Sequence, residues 1–402
     1  MRQGWDELPL GQASLKIIDG DRGKAYPKHG DFSDDDYCLF LSTANVTSSG
    51  FDFSECQFIS EQKDEELRKG RLSRQDVVLT TRGTLGNAAL YGDEVPYDHV
   101  RINSGMVIMR ADPAKLLPAF LFGFLRSPGF KGQVEQLRSG VAQPQLPIRD
   151  IYKITLPLPR KEVQQRIVAV FAAYDDLIEN NRRRMALLEE ATRQLYREWF
   201  VRLRFPGHEH TPITNGVPEG WERLRLSELA EITMGQSPES RYYNEDGEGL
   251  PFHQGVTDFG DRFVTHRIYS TALNRIAESG DILCSVRAPV GRLNVTLDKI
   301  VIGRGLAALR SKTGHQALLL QQLRAYFFKE DLIGGGAIFA SVTKKEFSVQ
   351  VLLEPPERLK RAFEEVTVPC DEQIRALHLQ NQQLRAARDL LLPRLMSGEI
   401  AV

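Results

Sequence analysis

The chain has 402 residues, 42% of them hydrophobic and 26% charged, which is too long for one hydrophobic core and ordinary for a globular protein of two or three domains. Its 52 Lys+Arg stand against 53 Asp+Glu, a formal net charge of −1, so charge alone argues mildly against nucleic acid; any such contact needs local positive charge or a partner. No apolar run nears the ~18 residues of a membrane helix. The start, Met1-Arg2-Gln3-Gly4-Trp5-Asp6, lacks a signal-peptide core, and Cys38, Cys56, Cys284 and Cys370 lack metal or disulfide spacing. A cytoplasmic protein without membrane contact is expected.

From Trp5 the sequence predicts short strands and loops. Residues 76–81 read as a strand, 82–87 as a tight turn, 88–91 as its return and 106–110 as a further strand. Residues 113–129 have the apolar spacing of one helix, and Pro144, Pro147, Pro157 and Pro159 then predict extended chain. Glu61, Lys63, Asp64 and Glu65 read as a solvated helix face rather than a metal-nuclease cluster.

No proline or glycine occurs from Lys161 to about Arg204, and the pattern becomes a heptad. Ile167, Phe171, Tyr174, Ile178, Met185, Leu188, Leu195 and Trp199 form one stripe, broken at Asn181 and Thr192. A long helix with one narrow seam calls for a second helix along it, or for its own domain. A linker, 207–220, follows; His208 and His210 within it read as exposed rather than as ligands.

The text then repeats. Asp76-Val77-Val78-Leu79 with Arg82 and Gly86 returns as Asp281-Ile282-Leu283-Cys284 with Arg287 and Gly291, an offset of 205 (281 − 76). Gly105–Arg110 returns as Gly305–Arg310, and Gly140, Ile151 and Pro159 return as Gly336, Phe347 and Pro355. Ile374, Leu377, Leu384 and Leu391 continue the heptad frame in the C-terminal segment, where Pro369 is expected to interrupt the helix. Order kept while offsets drift is the mark of a duplicated domain, and a pseudo-twofold arrangement would set the two helices antiparallel. The expected fold is α+β. It has two similar globular domains at 1–158 and 221–355, long helices at 159–206 and 356–402, and the two helices paired as an antiparallel coiled coil.

No phosphate loop, HExxH or GxSxG occurs, and Pro355-Pro356 lies between glutamates, unlike the clamp of amino-methyltransferases. No catalytic or metal residue is expected. Polar donors instead gather in loops. Arg22, Lys24, Tyr26 and Lys28 lie near Gly20 and Gly23, and Gln236, Ser237, Arg241, Tyr242 and Tyr243 follow Gly235. Arg82, Thr84 and Asn87 sit in the first repeated turn, Arg287 and Arg292 in the second; Gln143, Gln145 and Arg149 precede one long helix, Lys344 and Lys345 the other. Arginine reads guanine and glutamine reads adenine, while Lys, Ser and Thr more often hold phosphate. Each residue alone is more commonly a solvated surface group. Loops that differ on a scaffold that repeats are what two recognition tasks need.

These stretches resemble the specificity subunit of type I restriction–modification enzymes, over essentially the whole chain. Ile17-Ile18-Asp19-Gly20-Asp21-Arg22-Gly23-Lys24 and Thr233-Met234-Gly235-Gln236-Ser237-Pro238 resemble the openings of its recognition domains. Thr81-Arg82-Gly83-Thr84-Leu85-Gly86 resembles its central turn; Gly140-Val141-Ala142-Gln143-Pro144 and 337–345 resemble the approaches to its helices; 390–400 resembles its C-terminal signature. The resemblance implies a DNA-reading subunit without catalysis or cofactor of its own. Two methyltransferase subunits carrying S-adenosylmethionine would clasp it on double-stranded DNA, and restriction-motor subunits join in some such systems. Ala288-Pro289-Val290 in place of Gly83-Thr84-Leu85 is a departure that puts in doubt the transfer of roles between copies. The 23 residues between Pro369 and Pro393, ~35 Å of helix, lead to an expected half-site spacing of about one DNA turn. An enzyme with unrecognised motifs and a scaffold bridging two proteins are the competing classes. S-adenosylmethionine binding by the isolated chain would favour the first, and specific DNA binding with partners would exclude the second.

Overall fold

The computed structural model describes residues 5–140, 144–327 and 342–402. Both copies of the repeat build one frame. In the first lobe Leu15–Asp19 pairs with Met106–Ala111, then Val77–Thr80, then Ala88–Leu90, all antiparallel. In the second, Ala230–Met234, Leu306–Ser311, Ile282–Ser285 and Leu293–Val295 follow in the same order and sense. Val77–Thr80 and Ile282–Ser285 are buried throughout, and each carries three apolar residues in succession before a buried hydroxyl, Thr80 or Ser285. An ion pair recurs at the strand edge, Arg110 Nη2 to Asp76 Oδ2 at 2.7 Å and Arg310 Nε to Asp281 Oδ1 at 2.6 Å. Each lobe closes with the strand before its long helix: Thr155–Pro159 on Trp5–Pro9, and Val351–Glu354 on Glu222–Arg225.

The smaller sheets diverge. Both contain a parallel pair, Cys38–Leu41 with Val100–Ile102 and Leu250–His253 with Ile300–Ile302. Around it the first lobe has three strands and the second five. The chain leaves these sheets after Leu41 and Ile102 in the first lobe and after His253 and Ile302 in the second, so the divergence lies beside those loops while the larger sheets stay fixed.

The repeated turn keeps its frame despite the changed residues. Thr80 Oγ1 donates to Thr84 O and accepts from Asn87 N at 3.0 Å. Ser285 Oγ donates to Pro289 O at 2.5 Å and accepts from Arg292 N at 2.9 Å. The hydrogen-bond frame of the turn thus carries over between the copies although Ala288-Pro289-Val290 replaces Gly83-Thr84-Leu85.

Four readings need correction. Residues 113–129 form no single helix: Pro118–Arg126 ends, and Ser127, whose Oγ accepts from Phe130 N at 3.2 Å, caps a second helix, Pro128–Leu137. The proline-rich approach contains a short helix, Ile148–Ile151, before its strand. Helix Glu61–Glu66 exists, yet Asp64 turns inward and is held by Arg101, so that face is not wholly solvated. Pro369 does not interrupt the C-terminal helix, which runs 40 residues from Glu357 to Met396. A proline there removes one amide and crowds the carbonyl four residues back. Pro369 and Glu365 both lie on the exposed face, open to solvent, while the buried Thr367 and Ile374 hold the helix on its other face.

The first long helix spans Lys161–Tyr196 and continues as a π-turn, Arg197–Val201. The chain divides into two units, Met1–Asn181 with Leu379–Val402, and Arg182–His378. In the first unit Ile167 and Phe171 join a core with Phe124, Leu392 and Met396. Farther along, Asp175 Oδ1 meets Arg388 Nη1 at 2.5 Å, and Asn181 Nδ2 donates to Asn381 Oδ1 at 2.9 Å. Within this unit, numbers rise along one helix segment as they fall along the other. In the second unit Leu195, Tyr196 and Trp199 gather with Phe200, Leu359 and Phe363. There Arg262 bridges Glu189 (3.1 Å) and Asp371 (2.6 Å). Of the other stripe positions, Ile178, Ile374 and Leu377 are buried, and Tyr174, Met185, Leu188, Leu384 and Leu391 half-buried. Among the described residues no helix is long and apolar enough to cross a membrane.

Candidate nucleic-acid interface

In the first lobe three loops meet around residues 103–105. Gly20 lies so close that a Cβ would strike Asn103 O, which is why the loop needs glycine there. Two residues on, exposed Arg22 pairs with Asp19 at 3.2 Å and reaches Ser104 O at 3.4 Å. Arg82 N donates to Gly105 O at 3.2 Å, and Arg82 bridges in β fashion to Gln145, leaving the guanidinium exposed. The fold therefore brings Arg22, Arg82 and Gln145 together. Thr84, Lys24 and Lys28 are exposed beyond them. Asn87 and Tyr26 are half-buried against the scaffold: Asn87 Nδ2 donates to Val46 O at 3.0 Å, and the Tyr26 ring packs edge-on against Phe40. Arg149 is exposed, 3.6 Å from Asp150. Gln143 lies outside the described residues.

The second lobe holds an open cleft of about 790 Å³. Gln236, Ser237 and Tyr243 line it, as do Gln254, Arg267 and Arg304, which the sequence reading missed. Tyr243 stacks on Phe252 at 4.7 Å and its hydroxyl donates to Pro238 O at 2.8 Å, fixing an aromatic floor. Burial holds the Tyr243 phenol above its ordinary pKa, with nearby Arg304 acting against that shift. Outside the cleft lining, Arg241 lies over the Tyr242 ring at 4.9 Å and pairs with Glu239 at 3.2 Å. Arg287 and Arg292 are exposed on the turn, and Lys344 and Lys345 are exposed on helix Lys344–Ser348. The signal for Arg304 was at hand: it immediately precedes Gly305, a residue that the repeat itself aligns with Gly105.

A common frame carrying different polar loops, written twice, defines a two-headed recognition scaffold. Residues 15–190 match the model of the type I restriction modification DNA specificity domain. The chain is 27% identical over 366 residues to a putative type I restriction enzyme MjaX specificity subunit of Methanocaldococcus jannaschii, covering 89% of this chain and 86% of that one. It is 22% identical to the type I restriction enzyme HindI specificity subunit of Haemophilus influenzae, over 98% and 99% of the two chains. The crystal structure of the type I restriction–modification S subunit from M. genitalium aligns with a TM-score of 0.55 at 14% identity, over 97% and 96%, and shares the fold. Over most of its length the chain is thus similar to the specificity subunits of type I restriction–modification systems.

Proposed function

We propose that this chain reads a bipartite sequence in double-stranded DNA, one lobe per half-site, as the non-catalytic subunit that directs a DNA methyltransferase. The duplicated frame with divergent donor-rich loops carries this reading: identical lobes would read one sequence twice, whereas these would read two. The recognition domains are 1–158 and 221–355, joined through 159–206, the linker 207–220 and the helix 356–402. The long helices pair as an antiparallel coiled coil; the descending partners of Phe171, Asp175 and Asn181 in one unit support this. Two methyltransferase subunits, each binding S-adenosylmethionine, clasp the chain, and motor-nuclease subunits join where the system restricts. A net charge of −1 fits an assembly in which partners share the holding of the duplex. DNA of this kind places the work in the cytoplasm.

The test is methylome sequencing of cells carrying the chain with its methyltransferase subunits. Exchanging residues 1–158 for those of a relative should change one half of the methylated sequence and leave the other. A change in both halves, or methyl transfer by the chain without partners, overturns the reading.

A further inference from the structure

The strand pairings put the loops of the two lobes in register. Asp19 pairs with Val107 as Met234 pairs with Ala307, so Arg22 corresponds to Ser237. Leu41 pairs with Ile102 as His253 pairs with Ile302, so Ser42 corresponds to Gln254. Asn103 N donates to Leu41 O at 3.1 Å as Gly303 N donates to His253 O at 2.8 Å, so Ser104 corresponds to Arg304. The arginine has changed walls. It comes from the first loop in one lobe and from the third in the other, and a serine stands opposite it each time. Both arrangements bring the first loop onto the third, Arg22 Nη2 to Ser104 O at 3.4 Å and Arg304 N to Ser237 Oγ at 3.2 Å.

We propose that the second lobe's cleft is a base-reading site for the major-groove edge of guanine, with Arg304 and Gln254 as its specificity-determining residues. This deepens the DNA-reading function above and rests on it. Arg304 is exposed and has no ion-pair partner among the described residues. The two acids of the lining are taken by other arginines, Glu239 by Arg241 at 3.2 Å and Asp258 by Arg267 at 3.1 Å. One guanidinium is thus left to face the cleft, and its fork matches guanine O6 and N7.

Gln254 adds a second selection. Ser237 Oγ accepts from Arg304 N, and its own proton goes to Gln254 Oε1 at 2.7 Å. The amide oxygen is turned to the wall and the NH2 group is left for the cleft. Reading adenine takes an acceptor and a donor from one amide; this amide offers donors. Beside Arg304 it makes a donor-only wall, complementary to a purine edge that presents acceptors. The Tyr243–Phe252 stack beneath is already fixed, so little ordering accompanies binding.

The experiment uses the complex of this chain with its methyltransferase subunits, assayed by methylome and by binding to duplexes of the methylated site. Arg304→Ala should relax one guanine position in one half-site by roughly 5- to 150-fold and leave the other half unchanged. Arg304→Lys keeps the charge without the fork and should relax the same position. Replacing that guanine by 7-deazaguanine should weaken the wild-type complex and leave the Arg304→Ala complex unaffected. Gln254→Ala should relax the same position or its neighbour. Weakening that is equal for all sequences and restored by Arg304→Lys makes Arg304 a phosphate contact and overturns the site, as does an unchanged methylome. If instead the wild-type complex methylates no bipartite sequence, the parent function falls, and the site with it.

Discussion

His253 occupies the second lobe's counterpart of Leu41, so an ionisable ring stands where the first lobe is aliphatic. It is fully buried, its Nε2 lies 3.0 Å from His266 Nδ1, and His266 Nε2 lies 2.9 Å from Asp298 Oδ2. His253 Nε2–H donating to His266, and His266 Nε2–H to Asp298, satisfies every pair in the row. That leaves His253 Nδ1 without a partner. A second proton on His253 would sit there, buried and unbonded. Burial above all, and then His266, push its pKa down to about 4, with Asp258 opposing. The unfolded chain therefore binds more protons between pH about 6.5 and about 4, and stability falls as pH falls through that window. The loss amounts to at most about 3 kcal/mol for a shift of this size. His253→Leu, which installs the first lobe's residue, should leave stability near pH 7 unchanged or slightly higher and flatten the acid-side slope. Hydrogen exchange across residues 250–310 at pH 7 and pH 5 measures it; an unaltered slope would show that another group sets the acid response. Composition named His253 as one of eight histidines and nothing more. Its burial comes from the parallel pairing with Ile302, a long-range contact that local pattern does not encode.

At the scale of elements, the seam of the first long helix was legible because a seven-residue period is local, and the bury-and-expose alternation follows it from Ile167 to Trp199. Asn181 was visible as a break in the stripe. What it breaks for was not, since its partner is 200 residues away: Asn181 Nδ2 donates to Asn381 Oδ1 at 2.9 Å, and Asn381 Nδ2 to Ile178 O at 3.2 Å. Both side chains are buried. Such a pair fixes register at some cost in stability. Asn381→Leu alone should destabilise the chain by about 1–3 kcal/mol, because Asn181 Nδ2 loses its buried acceptor and keeps only Gln380 Oε1, at 3.0 Å. Adding Asn181→Leu should restore the loss or exceed it while admitting slipped pairings, read as added components in spin-label distances between the helices. A double variant as unstable as the single one would show that the asparagines do more than set register. Proline rules misplaced the ends of elements for one reason each. Pro128 begins a helix where 113–129 read as continuous, and Pro369 sits in one on the exposed face it shares with Glu365, whose carbonyl loses its amide partner.

For the whole molecule, the consequence of Pro369 falls on the spacing of the half-sites. The expected gap of one DNA turn came from a proline-bounded length, and the helix ignores both prolines, running from Glu357 to Met396. The length therefore does not fix the gap, but the dependence of gap on helix still follows if the helix pair is the ruler. Along the first unit, the residues that approach each other sum to nearly constant values, Asp175 with Arg388 and Asn181 with Asn381, as antiparallel partners must. The same sum sets Ala186 level with Ala376. One heptad inserted after each of these two residues keeps the seam in phase and leaves Asn181 opposite Asn381. It lengthens both helices by ~10 Å, about three base-pair steps. Methylome sequencing should then return both half-sites unaltered and a gap wider by about three base pairs. A single-sided insertion, after Ala186 alone, shifts every partner beyond it and should abolish methylation at either gap. Should the doubly extended chain keep the original gap, spacing is set by the methyltransferase subunits that clasp the DNA, and the helices only tie the lobes together.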